Sequence, residues 1–65
     1  MERLRELRRL RALSQVELAE AAGVGRATIS RIERRETGAH GRTLRKLAKA
    51  LGVDVSELVE VDRDG

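Results

Sequence analysis

The sequence predicts an all-α fold, a compact five-helix orthogonal bundle. Three observations predict it. Apolar residues recur at helical spacing in successive short segments, and no sustained two-residue alternation appears before residue 53. Ser, Gly and Asp stand where these segments begin or end, as helix caps do. The connections so marked are only a few residues long, which suits helices packed as one bundle. Val53-Asp54-Val55 and Val59-Glu60-Val61 alternate, but too briefly to make strands.

Each element has its own reason. Helix 1 is expected over about 2–12, with Leu4 and Leu7 on its apolar side, Leu10 flanking, and Arg3, Arg5, Arg8, Arg9 and Arg11 around them. Leu13 enters a turn. Helix 2, about 15–22, starts at Ser14, followed three residues later by Glu17, the pattern of a capping box. Val16, Leu18, Ala19 and Ala22 are its apolar positions, and Gly23 ends it. Helix 3, about 26–35, has Gly25 at its N-cap position, a weaker choice than a hydroxyl residue. Residues 36–41 form a loop. Helix 4, about 42–51, carries Leu44, Leu47, Ala48 and Leu51 on one stripe and closes at Gly52. Asp54 and Glu57 form a second capping pattern that opens a short helix 5, ending near Val59 or Glu60. The domain is expected to span 1–61, with 62–65 a frayed tail.

Composition removes several function classes. The chain has 65 residues, no Cys, one His and no aromatic side chain. Disulfides, Cys-based zinc and His-built metal sites are therefore not expected, nor is stacking on bases, and no cofactor is called for. The apolar runs fall far short of the ~20 residues of a membrane helix, and Met1 is followed by charge rather than by a secretory apolar stretch. A cytoplasmic location is the expectation. Helix 1 could lie on a membrane as a basic amphipathic helix, but its Leu stripe fits a bundle core equally well. Gly23 to Thr28 resembles a dinucleotide loop only faintly, with no strand before it. His40, between glycines, is expected as a surface or helix-entry residue. No cluster of perturbed acids or nucleophiles suggests catalysis.

The charge is uneven. Residues 1–49 hold 13 basic and 6 acidic side chains, a net of +7, and residues 50–65 hold 1 and 5, a net of −4. A basic body with an acidic end points to a polyanion on one face. Twelve of the fourteen basic residues are Arg, whose fork suits phosphate and guanine.

The joint between helices 2 and 3 carries the function. In QVELAEAAGVGRATISRIER, starting at Gln15, Ala19 is fifth, Gly23 ninth, Val24 tenth, Ile29 fifteenth and Ile32 eighteenth. A small residue permits a close helix crossing, a glycine permits the sharp corner, and the three aliphatics bury the inner side of helix 3. This spacing presents a second helix to the major groove. With the flanking Ser14-Gln15, Thr28-Ile29-Ser30, Ile32-Glu33 and Leu47 to Val53, the chain resembles the Cro-type (XRE-type, phage-repressor-like) helix-turn-helix family over residues 4–59. The resemblance implies a lambda-repressor-like DNA-binding domain, commonly dimeric, acting in transcription. Ala12 and Arg35 depart from it by standing where the family often has Gly. Gly25 stands where it often has Ser or Thr, which removes a hydroxyl able to contact phosphate.

On the helix 3 wheel, Ile29 and Ile32 define the inside, while Ala27, Ser30, Arg31 and Arg34 face outward and Arg26 sits at the N-terminal edge. Arg26 and Arg31 are the expected guanine readers, Ala27 a contact for a thymine methyl, and Ser30 a contact for base or phosphate. Phosphate is expected at Gln15, Gly25, Thr28, Arg34, Arg35, Arg42 and Thr43. Arg8 lies on the Leu4 side of helix 1 and Glu33 lies four residues after Ile29, so both lean inward. An ion pair between them is expected to tie helix 1 to helix 3, and the resemblance implies the same pair. The function expected is a sequence-specific double-stranded DNA-binding transcriptional regulator, a dimer on a palindromic operator. The alternative is a protein-interaction or coactivator module whose docking surface is the Val-rich acidic end, Val55, Leu58, Val59 and Val61.

Overall fold

A computed structural model of the chain describes residues 2–34 and 40–58. In these residues the order is α1 (Glu2–Leu10), α2 (Gln15–Ala22), α3 (Arg26–Glu33), α4 (Gly41–Leu51) and α5 (Val55–Leu58). All five are helices, and the described residues contain no strand. None of these helices is long and apolar enough to cross a membrane.

One core joins them. Leu4 and Leu7 from α1 meet Leu18, Ala19 and Ala22 from α2, Ile29 and Ile32 from α3, Leu47, Ala48 and Leu51 from α4, and Leu58 from α5. α2 packs on α3 and α4, and α1 on α3 and α5. Small residues on α2 let two neighbours close on it at once. Each fully buried Leu or Ile contributes about 1.5–3 kcal/mol, so an aliphatic core can hold a bundle this small without aromatics. Among the described residues two large apolar side chains stay out of it: Leu10 is 69% and Val16 47% exposed. Leu10 lies in the last turn of α1 and Val16 in the first turn of α2, on the side away from Leu18, Ala19 and Ala22.

Helix ends explain the remaining differences from the sequence reading. Ser14 builds the expected capping box: its Oγ accepts the Glu17 N–H at 3.0 Å, and its own N–H donates to Glu17 Oε1 at 2.8 Å. At Asp54 the reciprocal side-chain bonds are not made, and the Glu57 N–H donates to the Asp54 main-chain carbonyl at 2.9 Å. His40 is the N-cap of α4, so that helix begins at Gly41, one residue early. α3 ends at Glu33 with Arg34 as its C-cap, short of the expected 35. The expectations for Arg35, Val59, Val61 and the 62–65 tail lie outside the described residues.

Helix 1 stops at Leu10 rather than 12 because Ala12 adopts a left-handed backbone, φ 57°. The same corner occurs three times. Gly23 and Gly52, both φ 72°, end α2 and α4 as Ala12 ends the turn after α1. In each case the next N–H reaches a carbonyl five residues back: Leu13 to Arg8 at 3.1 Å, Val24 to Ala19 at 3.0 Å and Val53 to Ala48 at 3.0 Å. In each case that next residue is aliphatic and packs on the core. Only at residue 12 does a Cβ meet the strain of this conformation, which costs about 1–2 kcal/mol. Ala12→Gly is therefore expected to raise stability by about 1 kcal/mol, after part of the relief is offset by glycine's freer unfolded chain. A urea midpoint that rises at unchanged slope would show it, and one that falls would refute strain at residue 12.

Candidate nucleic-acid interface

α3 is two-sided. Ile29 and Ile32 are fully buried and Glu33 nearly so, and together they fix the helix against α1 and α2. Arg26, Ala27, Arg31 and Arg34 are exposed, and Thr28 and Ser30 are half-buried. Every outward position expected from the helical wheel is thus at least partly open to solvent. Gly25 caps the helix in an extended conformation without a side-chain bond. The Thr28 and Ile29 N–H groups donate to the Gly25 carbonyl at 3.1 and 3.3 Å, while those of Arg26 and Ala27 have no partner among the described residues, and the positive end of the helix dipole is open there.

Behind this face sits one buried carboxylate. Arg8 Nε donates to Glu33 Oε2 at 2.7 Å and Arg8 Nη2 to Glu33 Oε1 at 3.1 Å. The expected pair is present, in the two-pronged form Arg makes best. Arg8 Nη1 also donates to the Leu13 carbonyl at 2.8 Å, fastening the turn after α1. Two further partners of Glu33 were not legible in the sequence. Gln15 Nε2 donates to Oε1 at 3.0 Å, and Arg5 Nε stands 3.6 Å from the same oxygen. Burial by itself would push the Glu33 carboxyl up. The bonds from Arg8 and Gln15 and the charges of Arg8 and Arg5 outweigh it and hold the group below the ordinary glutamate range. The bond to Glu33 pushes the Arg8 guanidinium up, against the opposing effect of burial.

Five of the seven expected phosphate positions fall at three helix starts, while Arg34 is the C-cap of α3 and Arg35 lies outside the described residues. Gln15 opens α2 and is half-buried, with one amide donor spent on Glu33. Gly25 and Thr28 are at the start of α3. Arg42 is exposed and Thr43 half-buried in the first turn of α4, where His40, Arg42, Thr43 and Arg45 line a shallow recess. His40 makes no side-chain cap there. Arg45 was not singled out from sequence, although its place three residues after Arg42 puts both on one side of α4. Arg11, which the sequence does not set apart from the other arginines of helix 1, donates from Nε to the Leu51 carbonyl at 2.9 Å and satisfies the end of α4. A cation for the last carbonyls of a helix is a general need, but the helix it would come from could not be named in advance. Among the described residues no group of acidic, His or Cys side chains is arranged to hold a metal.

The architecture has known relatives. A helix-turn-helix family model matches residues 4–58. The chain is 40% identical over 58 residues to the immunity repressor protein of Bacillus phage phi105, an alignment covering 89% of this chain and 40% of the repressor. It is 41% identical over 58 residues to control protein C.SmaI of Serratia marcescens, covering 89% of this chain and 69% of that protein. No solved structure matches the chain. With the Gly23 corner, the two-sided α3 and a family match over nearly all of its length, the chain belongs to the helix-turn-helix family, of the XRE type.

Proposed function

We propose that this protein is a sequence-specific double-stranded DNA-binding regulator of transcription, with α3 as its recognition helix. The observation that carries the reading is the two-sidedness of α3: Ile29, Ile32 and Glu33 anchor it, and Arg26, Ala27, Ser30 and Arg31 remain available on its other side. A helix held this rigidly can enter a major groove of about 12 Å without reorganising. Arg26 and Arg31 read guanine through O6 and N7, Ala27 meets a thymine methyl, and Ser30 contacts base or phosphate. Gln15, Gly25, Thr28, Arg34, Arg35, Arg42 and Thr43 hold the backbone on either side, using side chains and the open N–H groups of three helix starts. The names of the relatives, a repressor and a control protein, support regulation as the purpose. The site needs no cofactor, and its chemistry is binding rather than catalysis.

Two copies are expected to bind a near-palindromic operator, with their recognition helices about 34 Å apart. Selection of bound duplexes from a random pool tests all of this at once. The expected result is a consensus with two inverted half-sites one helical turn apart. A single half-site would overturn the dimer. No enrichment at low salt would overturn the DNA reading and favour a protein-interaction module instead.

A further inference from the structure

We propose that Glu33 is a positioning residue for the DNA-backbone contact of Gln15. The inference rests on the reading above and deepens it. α2 and α3 diverge from the Gly23 corner, where the chain itself joins them. Gln15 is the first residue of α2 and Glu33 the last of α3. Their side-chain bond, Gln15 Nε2 to Glu33 Oε1 at 3.0 Å, therefore closes the motif at its open end, across 18 residues.

Geometry shows why a tie there matters. Eight residues of helix span about 12 Å. A rotation of about 10° at the corner would move the start of α2 by about 2 Å relative to α3. Hydrogen bonds to phosphate tolerate only a few tenths of an ångström. Base reading by α3 and phosphate binding by α2 can occur together only if that angle is set.

Glu33 is suited to set it. Its side chain is 1% exposed, and Arg8 grips both oxygens, with Arg5 beside Oε1. The carboxylate is an acceptor that cannot swing. Glutamine has several rotatable bonds, and ordering them in the free protein removes a cost otherwise met on binding. An amide has two N–H donors, so the bond to Glu33 leaves one, and the main-chain N–H groups of Gln15 and Val16 have no partner among the described residues. The acid is buried, the amide bonded to it is half-buried, and the open N–H groups belong to the same first turn of α2 as that amide.

The test is a double-mutant cycle on affinity for the selected duplex. It uses Gln15→Ala, Glu33→Gln and the pair, at a temperature where circular dichroism shows each protein folded. Gln15→Ala is expected to weaken binding about tenfold, the scale of one hydrogen bond to a charged group. Glu33→Gln is expected to weaken it about fivefold in the parent and less than about twofold when Gln15 is already Ala. Equal losses from Glu33→Gln in both backgrounds would mean that Glu33 acts only on the fold, and no loss in the parent would mean that it has no part in binding. Should Glu33→Gln fail to fold, 15N NMR of the parent decides. A Gln15 side-chain amide protected from exchange, free and on DNA, supports the proposal, and a freely rotating one overturns it. Failure of the DNA reading would look different: the parent would bind no duplex, whatever the state of that amide.

Discussion

Glu33→Ala is expected to cost about 3–5 kcal/mol, because it strands the Arg8 guanidinium and the Gln15 amide that the carboxylate satisfies. Total stability for a chain of this size is roughly 3–10 kcal/mol. The substitution should therefore bring the protein close to unfolding at room temperature, measured as a large fall in the urea midpoint. A loss of only a few tenths would mean that water already screens the pair. The carboxylate also ties stability to pH. Its folded value is held down, so its contribution is complete above the unfolded glutamate value of about 4.3. That contribution is lost as pH falls through the lower, folded value. Acid titration of the parent should show this loss below about pH 4.3, and Glu33→Gln should lack it. The two stability curves are expected to converge in acid, and parallel curves would mean that Glu33 is not held down.

Arg26→Ala is expected to leave stability unchanged, since Arg26 is exposed, but to weaken operator binding by about 1–3 kcal/mol and relax preference at one base pair. Arg42→Ala serves as its contrast. A phosphate contact carries no sequence information, so its loss should weaken all duplexes alike and reduce the salt slope by about one. Measured on operator and mismatched duplexes across a salt series, the two variants should separate cleanly. If Arg26→Ala kept both affinity and base preference, α3 would not read DNA through that residue. If Arg42→Ala changed preference, the division between base and phosphate contacts would be wrong.

Most of the fold could be read from the chain because its signals are local. The Ser14–Glu17 box, the Gly23 corner and the spacing of Ile29 and Ile32 each lie within one helix or turn, and Arg8 and Glu33 betrayed themselves as charges at inward positions. The misses share a different character. Ala12 is a good helix former, so nothing in its identity announces a left-handed turn, and periodicity alone carries α1 two residues too far. Val16 falls among the apolar residues of α2, yet Leu18, Ala19 and Ala22 take the inward side and leave it exposed. The bond from Gln15 and the ion pair of Arg5 at Glu33, and the bond from Arg11 to Leu51, join residues 18 to 40 positions apart. Periodicity reports which side of a helix is buried, but not which long side chain from elsewhere reaches it.

A core of Leu, Ile and Ala alone has little sense of direction, because aliphatic contacts change slowly as one helix rolls over another. The hydrogen-bonded carboxylate supplies the missing orientation. Replacing Arg8, Gln15 and Glu33 together with apolar side chains of similar volume should then preserve, or even raise, melting temperature. The same triple variant should bind its operator more poorly than Gln15→Ala alone, since beyond the lost Gln15 contact its two working helices would rock. Thermal resistance and operator discrimination would part company in one molecule, and a stability screen alone would select the wrong protein.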